Sequence, residues 1–161
     1  NPNALNASLI DHSTANLLYS SGFKEIRLGL ETIEPSMQKS LCGKINAEDF
    51  ENTINLLLDV GFSNTSISAY IIAGLPFQRW EDVKHSIDYL AGLGIKSSIA
   101  EYTPIPHTPL FDEFYSFARY PIEKDPIFQN NAIFPFSWDG FTDYDLAFLK
   151  LYSREKNAML K

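Results

Sequence analysis

The feature that most constrains the fold is a regular alternation of short strand patterns with amphipathic helix patterns. The strand patterns cover residues 25–31, 65–73 and 95–102, and the helix patterns cover residues 12–21, 47–60, 80–93 and 109–117. Strands that are joined by single helices with short links pair in parallel through right-handed crossovers. The sequence therefore predicts an α/β protein with about three parallel strands, each followed by a helix.

The end of the chain has a different character. Residues 119–141 are rich in proline and aromatic side chains, which predicts irregular structure, and Thr142 with Asp145 three residues later forms the start signal of a final helix. The aromatic residues of this stretch are expected to pack as a small satellite core; they are Phe134, Phe136, Trp138 and Phe141. We therefore divide the chain into a strand–helix part, residues 1–117, and an extension, residues 118–161.

The two faces of the predicted strands differ in polarity. In the first strand Ile26, Leu28 and Leu30 share one face, while Arg27 and Glu31 lie on the other. An apolar face suits helix packing, whereas a mixed face with an arginine suits the inner wall of a barrel that holds a ligand. This pattern favours a partial TIM-type (β/α) barrel over a doubly wound sheet with helices on both faces.

Composition excludes several classes of function. The net charge of −7, with 13 basic residues scattered along 161 positions, argues against a nucleic-acid partner, and no apolar run is long enough for a membrane helix. One cysteine, Cys42, cannot form a disulfide framework or hold a metal cluster alone. We expect no signal peptide and a reducing, cytoplasmic setting. Because the sequence opens on Asn1, we expect a processed chain or a piece of a longer one.

Candidate site residues lie at the carboxyl ends of the strands, where parallel α/β folds place their sites. Glu31 either accepts hydrogen bonds from a ligand or pairs with Arg27. Glu101 and Arg27 are candidates for the substrate side of the site. The next strand ends in Gly74, Leu75 and Pro76, where the missing Cβ either admits a ligand or only permits a turn.

Other residues have two open interpretations. His107 is either a base or a solvent-facing loop residue, and Lys44 is either an anion contact or a solvated side chain. A glycoside hydrolase fragment using Glu31 and Glu101 is one alternative function, and it requires the two carboxylates to lie about 5–5.5 Å apart in a retaining enzyme. A non-catalytic half-barrel that only binds a partner is another alternative.

Three segments together carry a family resemblance: residues 26–32 (IRLGLET), 70–78 (YIIAGLPFQ) and 102–110 (YTPIPHTPL). In this order and at this spacing they resemble the carboxyl-terminal half of the core barrel of radical S-adenosylmethionine (SAM) enzymes. They are most similar to the branch that carries a cobalamin-binding domain upstream, and residues 128–131 (FQNN) resemble that branch's extension. The resemblance implies a TIM-type barrel in which a 4Fe-4S cluster cleaves SAM reductively to a 5′-deoxyadenosyl radical.

The resemblance also implies roles for individual residues. Glu31 stands where the family places a polar residue toward SAM, and Tyr70 stands where some members carry a ribose-binding acid. The adenine side would be lined by Ile72, Gly74, Leu75, Pro76, Tyr102 and Pro104. Lys44 lies near a basic position that meets the carboxylate of SAM. Phe77 and His107 occupy positions where the family usually has glycine.

The sequence departs from the family by having no CxxxCxxC motif. Since the cluster needs thiolate ligands, we expect this chain alone to be inert and its partner to be the missing amino-terminal half of the same protein. Three strands of half a barrel leave open edges and an uncovered inner face. We therefore expect either self-association through that face or edge, or coverage by residues 119–141.

Overall fold

The computed structural model describes residues 1, 3–40, 46–129 and 134–160. It contains one parallel sheet of four strands, whose spatial order follows the chain order. The strands are β1 (Leu5–Asn6), β2 (Ile26–Glu31), β3 (Ile67–Ala73) and β4 (Lys96–Glu101). Consecutive (β/α) units of a barrel have this sequential order, whereas a doubly wound sheet reverses its order at a switch point. The predicted α/β fold with the architecture of a partial TIM-type barrel is confirmed.

Six α-helices accompany the sheet in the described residues, and the four longest start or end within two residues of the predicted bounds. They are α1 (His12–Ser20), α2 (Pro35–Ser40), α3 (Ala47–Asp59), α4 (Trp80–Gly92), α5 (Pro109–Phe114) and α6 (Asp143–Met159). Helix α3 begins where Asn46 Oδ1 accepts a hydrogen bond from Asp49 N at 2.8 Å. Helix α6 begins with a reciprocal capping box between Thr142 and Asp145. Local capping chemistry therefore sets these two helix starts.

The helices cover one face of the sheet and leave the other half-exposed. The buried strand residues on the helix side are Ile26, Leu28, Leu30, Ile67, Ala69, Ile71 and Ala73, whereas the alternate residues of β2 and β3 are partly exposed. Neighbouring helices are linked by tyrosines: Tyr89 Oη of α4 lies 2.9 Å from Glu51 Oε1 of α3, and Tyr152 Oη of α6 lies 2.6 Å from Asp88 Oδ1 of α4. The predicted division into an apolar face and a polar inner face is confirmed for both strands.

Strand β1 was not predicted from the sequence. It has two residues, and Leu5 pairs with Leu28 of β2. A buried hydrogen bond of 3.0 Å from Thr53 Oγ1 of α3 to the Ala7 carbonyl holds the segment that follows it. Two residues are too few to show the alternation by which strands are recognised, so only tertiary pairing reveals this strand.

The final helix α6 returns to the sheet after the long excursion that follows β4. Its Asn157 side chain accepts from Ser97 N at 2.9 Å, and its Ser153 hydroxyl lies 2.8 Å from that of Ser97. Helix α6 therefore covers β4, the last strand of the sheet. Among the described helices, none combines the length and apolar composition that a bilayer crossing needs.

The aromatic residues of the extension join two different cores. Phe136 is buried with Phe111 and Ile122 in a small second cluster, as expected for a satellite core. Phe134 and Phe141, by contrast, belong to the main core under the helices. The extension is thus anchored in the body of the protein at the carboxyl end of the sheet.

Candidate functional site

The strand register arranges the inner face of the sheet in layers. The lower layer contains Arg27, Ser68 and Lys96, the middle layer contains Gly29, Tyr70 and Ser98, and Ile72 pairs with Ala100 above them. Glu31 ends β2 at the carboxyl edge of the sheet, where a register shift pairs it with Ile71. The structure therefore brings Arg27, Tyr70 and Ile72 to one face, as the strand pattern predicted.

Glu31 forms a strained turn at the end of β2. Its φ is +68°, and Thr32 N donates a hydrogen bond of 2.9 Å to the Leu30 carbonyl across it. A hydrogen bond between residues i and i+2, with positive φ at the residue between them, defines a γ-turn. This form of the γ-turn is rare and strained. The strand register shifts between Gly29 and Glu31. Strain of this kind costs about 1–3 kcal/mol and clusters at ligand-binding sites.

A second turn follows β3 and is held from within by Gln78. The Gln78 side chain is buried, and its Oε1 accepts from Gly74 N at 2.8 Å and from Leu75 N at 3.2 Å. Its Nε2 donates to the Ile72 carbonyl at 3.0 Å. The backbone N–H groups of Gly74 and Leu75 are therefore used to hold the turn. Sequence reasoning missed the role of Gln78, although a polar residue next to a buried strand end was a usable signal.

Gly74 is approached closely by the extension. Its φ is +93°, and a Cβ added there would lie 2.1 Å from Cε2 of Phe134. The space that glycine leaves is thus filled by an aromatic ring, 60 positions further along the chain. Contact of a ligand with Gly74, Leu75 and Pro76 stays a prediction, and the structure shows Phe134 in the place where the sequence suggested a ligand.

Two turns of the same type end β3 and β4. Gln78 N donates to the Leu75 carbonyl at 3.0 Å, and Thr108 N donates to the Ile105 carbonyl at 3.3 Å. The third residue of each turn has positive φ, +61° at Phe77 and +65° at His107. Turns with proline second and positive φ third are type II turns, whose third position favours glycine. Phe77 and His107 thus occupy backbone conformations that favour glycine while carrying large side chains.

Replacing His107 by glycine is expected to stabilise the protein by about 1 kcal/mol, because a left-handed residue with a Cβ is strained by roughly 1–2 kcal/mol and glycine loses somewhat more entropy on folding. His107 is exposed, so little packing is lost. His107→Ala is the matched control, since it removes the imidazole but keeps the Cβ. Urea denaturation should show a gain for glycine alone; an equal gain for alanine would contradict a backbone origin.

Two hydroxyl groups beyond β4 are buried without partners. Tyr102 Oη and Thr103 Oγ1 have no hydrogen-bond partner in the part of the chain that the structure describes. Burial raises the pKa of the Tyr102 phenol. One face of the Tyr102 ring stacks on Phe136, with ring centroids 5.9 Å apart, and Pro104 is buried beside this strand end. A buried hydroxyl without a partner destabilises the fold, so a polar ligand that hydrogen-bonds to Tyr102 and Thr103 would gain the most binding free energy there.

Glu101 does not face the site, which corrects its assignment to the substrate side. Its carboxylate pairs with Lys150 Nζ of α6 and is 9% exposed, on the side of β4 that carries Ser97 and the helix contacts. It also lies two strands from Glu31, or about 9–10 Å at ordinary strand spacing, which exceeds the 5–5.5 Å of a retaining glycosidase. The structure therefore gives no support to the hydrolase alternative.

Some predicted positions lie outside the described residues, namely Cys42, Lys44, Asn130 and Asn131. In the ranges that the structure describes, no group of three or more His, Cys, Asp or Glu side chains could hold a metal ion. The described site is therefore built from hydroxyl, carboxylate, aromatic and backbone groups.

The chain is similar in fold to a segment of a radical SAM enzyme. A solved structure to which it is similar is coproporphyrinogen III oxidase (HemN) from Escherichia coli, which is described as a radical SAM enzyme. The TM-score is 0.60 at 19% sequence identity, over 91% of this chain and 31% of that one. The chain thus spans less than a third of that enzyme's length. No protein-family model and no curated protein matches the sequence.

Proposed function

We propose that this chain is the carboxyl-terminal half of a radical SAM core barrel and supplies the adenosyl and substrate side of its site. The observation that carries the proposal is the row of three strained residues at the carboxyl edge of the sheet. Glu31, Phe77 and His107 follow three neighbouring parallel strands, and each has positive φ. Strain repeated at the ends of three neighbouring strands is expected where the backbone is shaped for a ligand rather than for stability. The fold similarity to a radical SAM enzyme supports this proposal.

The described residues fit the adenosyl end of SAM in part. Ile72 offers a half-buried apolar surface on the inner face, and the unpartnered hydroxyls of Tyr102 and Thr103 offer hydrogen bonds. The N–H groups of Gly74 and Leu75, by contrast, are already bonded to Gln78. When bound and reductively cleaved, SAM supplies a 5′-deoxyadenosyl radical that abstracts hydrogen from a substrate. In our proposal these residues orient the adenosyl group.

The described residues do not fit an iron–sulfur cluster. A 4Fe-4S cluster is held by cysteine thiolates, and the sequence contains one cysteine. We therefore derive no step through the cluster and propose that its ligands belong to the missing amino-terminal half. The inner face would be covered by that half or by a second copy. Membership of the cobalamin-binding branch rests on the motif resemblance alone and is part of the proposal. Stoichiometric cluster assembly on this chain under anaerobic iron and sulfide would contradict its inertness.

Tyr102→Phe tests the proposal, because it should weaken binding of the adenosyl group while making the folded chain more stable. S-adenosylhomocysteine is the probe, because it carries the adenosyl group and needs no cluster. We expect titration calorimetry to show affinity falling by about tenfold, the value of one lost hydrogen bond of about 1.4 kcal/mol. The same change removes an unsatisfied hydroxyl, so the free energy of unfolding should rise by about 1 kcal/mol.

The pH dependence of stability gives an independent check of Tyr102 burial. Its folded pKa lies above the unfolded value of about 10, so the neutral phenol contributes stability below pH 10 that is lost as the pH rises further. Tyr102→Phe should reduce the loss of unfolding free energy above pH 10. The loss that remains is expected from Tyr89, whose pKa is also raised by burial. Tyr144→Phe, at an exposed phenol of α6, is the control. Unchanged affinity in Tyr102→Phe, or no binding by the parent chain, would refute the proposed site.

A further inference from the structure

A polar cavity lies on the inner face of the sheet, near the amino ends of the strands and away from the adenosyl edge. Its volume is about 280 Å³. The lining side chains that matter for its chemistry are Arg27, Ser68, Tyr70, Lys96, Ser98 and Glu25. Two cations and three hydroxyls thus meet in one concave surface, and one carboxylate lies at its rim.

The sheet register fixes the spacing of the two cations. Arg27 pairs with Ser68, and Ser68 pairs with Lys96, so the three residues form one row across adjacent strands. The Cα atoms of Arg27 and Lys96 are therefore two strand spacings apart, about 9–10 Å. Both side chains extend from the same face with a serine hydroxyl between them. A carboxylate or phosphate group placed over Ser68 is within reach of both.

The described residues neutralise the positive charge of this row poorly. Arg27 Nη2 lies 3.8 Å from Glu25 Oε2, and Arg27 Nη1 lies 3.4 Å from Tyr70 Oη, both long contacts. Within the described residues, no carboxylate lies within ion-pair distance of Lys96. Other cations of the chain do have acidic partners; they are Arg79, Lys84, Arg119, Lys150 and Lys156. In a chain of net charge −7, an inward-facing row of weakly paired cations is suited to an anion.

We propose that this cavity binds the anionic end of the substrate, a carboxylate or a phosphate, which the Arg27–Ser68–Lys96 row holds at the bottom of the half-barrel. The inference rests on the proposed function, because it takes the carboxyl edge of the sheet as the place of the reaction. Glu31 lies four positions after Arg27 on β2, which is about 13 Å along a strand. The substrate is thus an elongated molecule whose anionic end lies about that far from its reacting carbon.

The test is anion binding to the 161-residue chain with inorganic phosphate and succinate as separate probes. Amide chemical shifts of Ser68 and Ser98 report occupancy directly. We expect saturable binding by at least one probe, weakened about tenfold by Lys96→Gln and by Arg27→Gln, since each removes a charge next to the anion. Glu25→Gln should tighten binding several-fold, because it removes the competing carboxylate. Lys124→Gln, on the exposed extension, should leave the affinity unchanged.

The outcomes separate the two proposals. Tighter binding of phosphate assigns a phosphate end, tighter binding of succinate assigns a carboxylate end, and either result supports the site. Absence of saturation, or equal weakening by Lys96→Gln and Lys124→Gln, would overturn it. S-adenosylhomocysteine affinity should be unaffected in Lys96→Gln, whose side chain lies at the opposite end of the strand from Tyr102. Loss of adenosyl binding with intact anion binding would refute the proposed function and leave the anion site standing.

Discussion

Replacing Gly74 by alanine should destabilise the protein by about 3 kcal/mol, because a Cβ at φ +93° is strained and overlaps Phe134. The backbone strain is roughly 1–2 kcal/mol and the overpacking of a filled site adds about 1–3 kcal/mol. Urea denaturation monitored by the fluorescence of Trp138, which lies in the same extension, would measure the change.

Gly140→Ala is the matched control for Gly74→Ala. Gly140 has φ +94°, and nothing lies within 4 Å of an added Cβ, so only the backbone strain applies. We expect it to lose about 1–2 kcal/mol. In the double variant Gly74→Ala with Phe134→Ala, the two losses should be less than additive, because the overlap is then removed. Equal losses for Gly74→Ala and Gly140→Ala would show that Phe134 does not press on the turn.

Replacing Gln78 by alanine should cost about 3 kcal/mol or more, since it leaves three buried backbone groups unpaired, each at about 1–3 kcal/mol. The groups are Gly74 N, Leu75 N and the Ile72 carbonyl. Hydrogen exchange should also accelerate at the amides of Gly74 and Leu75, which lose their acceptor.

Gln38→Ala is the control for Gln78→Ala, because among the described residues the Gln38 side chain makes one hydrogen bond, to the Thr32 carbonyl at 2.8 Å. It is half-buried, and we expect a loss of about 1 kcal/mol. If both variants lost the same free energy, the several bonds of Gln78 would not be the cause. If amide exchange at Gly74 did not change, the turn would be held by the extension alone.

The sequence predicted the elements of this fold well because their signals are local. The start of α3 follows from the Asn46 side chain and its end from Gly61, and both are decided within one helical turn. The polarity of β2 and β3 follows from alternation within each strand. Strand β1 could not be predicted in this way, because Leu5 and Asn6 are too few to form an alternating pattern. They are recognised as a strand only by their pairing with β2.

The parts of the site that were misassigned depend on contacts distant in sequence. Ser97, Ser98 and Ala100 are all small, so the two faces of β4 could not be told apart, and Glu101 was placed on the wrong one. Its partner Lys150 lies 49 residues later. The ring of Phe134 over Gly74 is equally remote. The face of candidate residues within β2 and β3 could be predicted from the sequence. The surroundings of residues that contact the extension could not.

The return of α6 to β4 has a consequence for folding. β4 ends at Glu101 and α6 begins at Asp143, so residues 102–142 connect them, whereas an ordinary strand-to-helix connection has about 2–6 residues. Closing a loop costs only about 0.6 kcal/mol for each doubling of its length, so the detour lowers equilibrium stability little. It does delay docking, because long-range contacts form slowly. Lengthening the surface portion of this detour should therefore slow the completion of the native state far more than it weakens it.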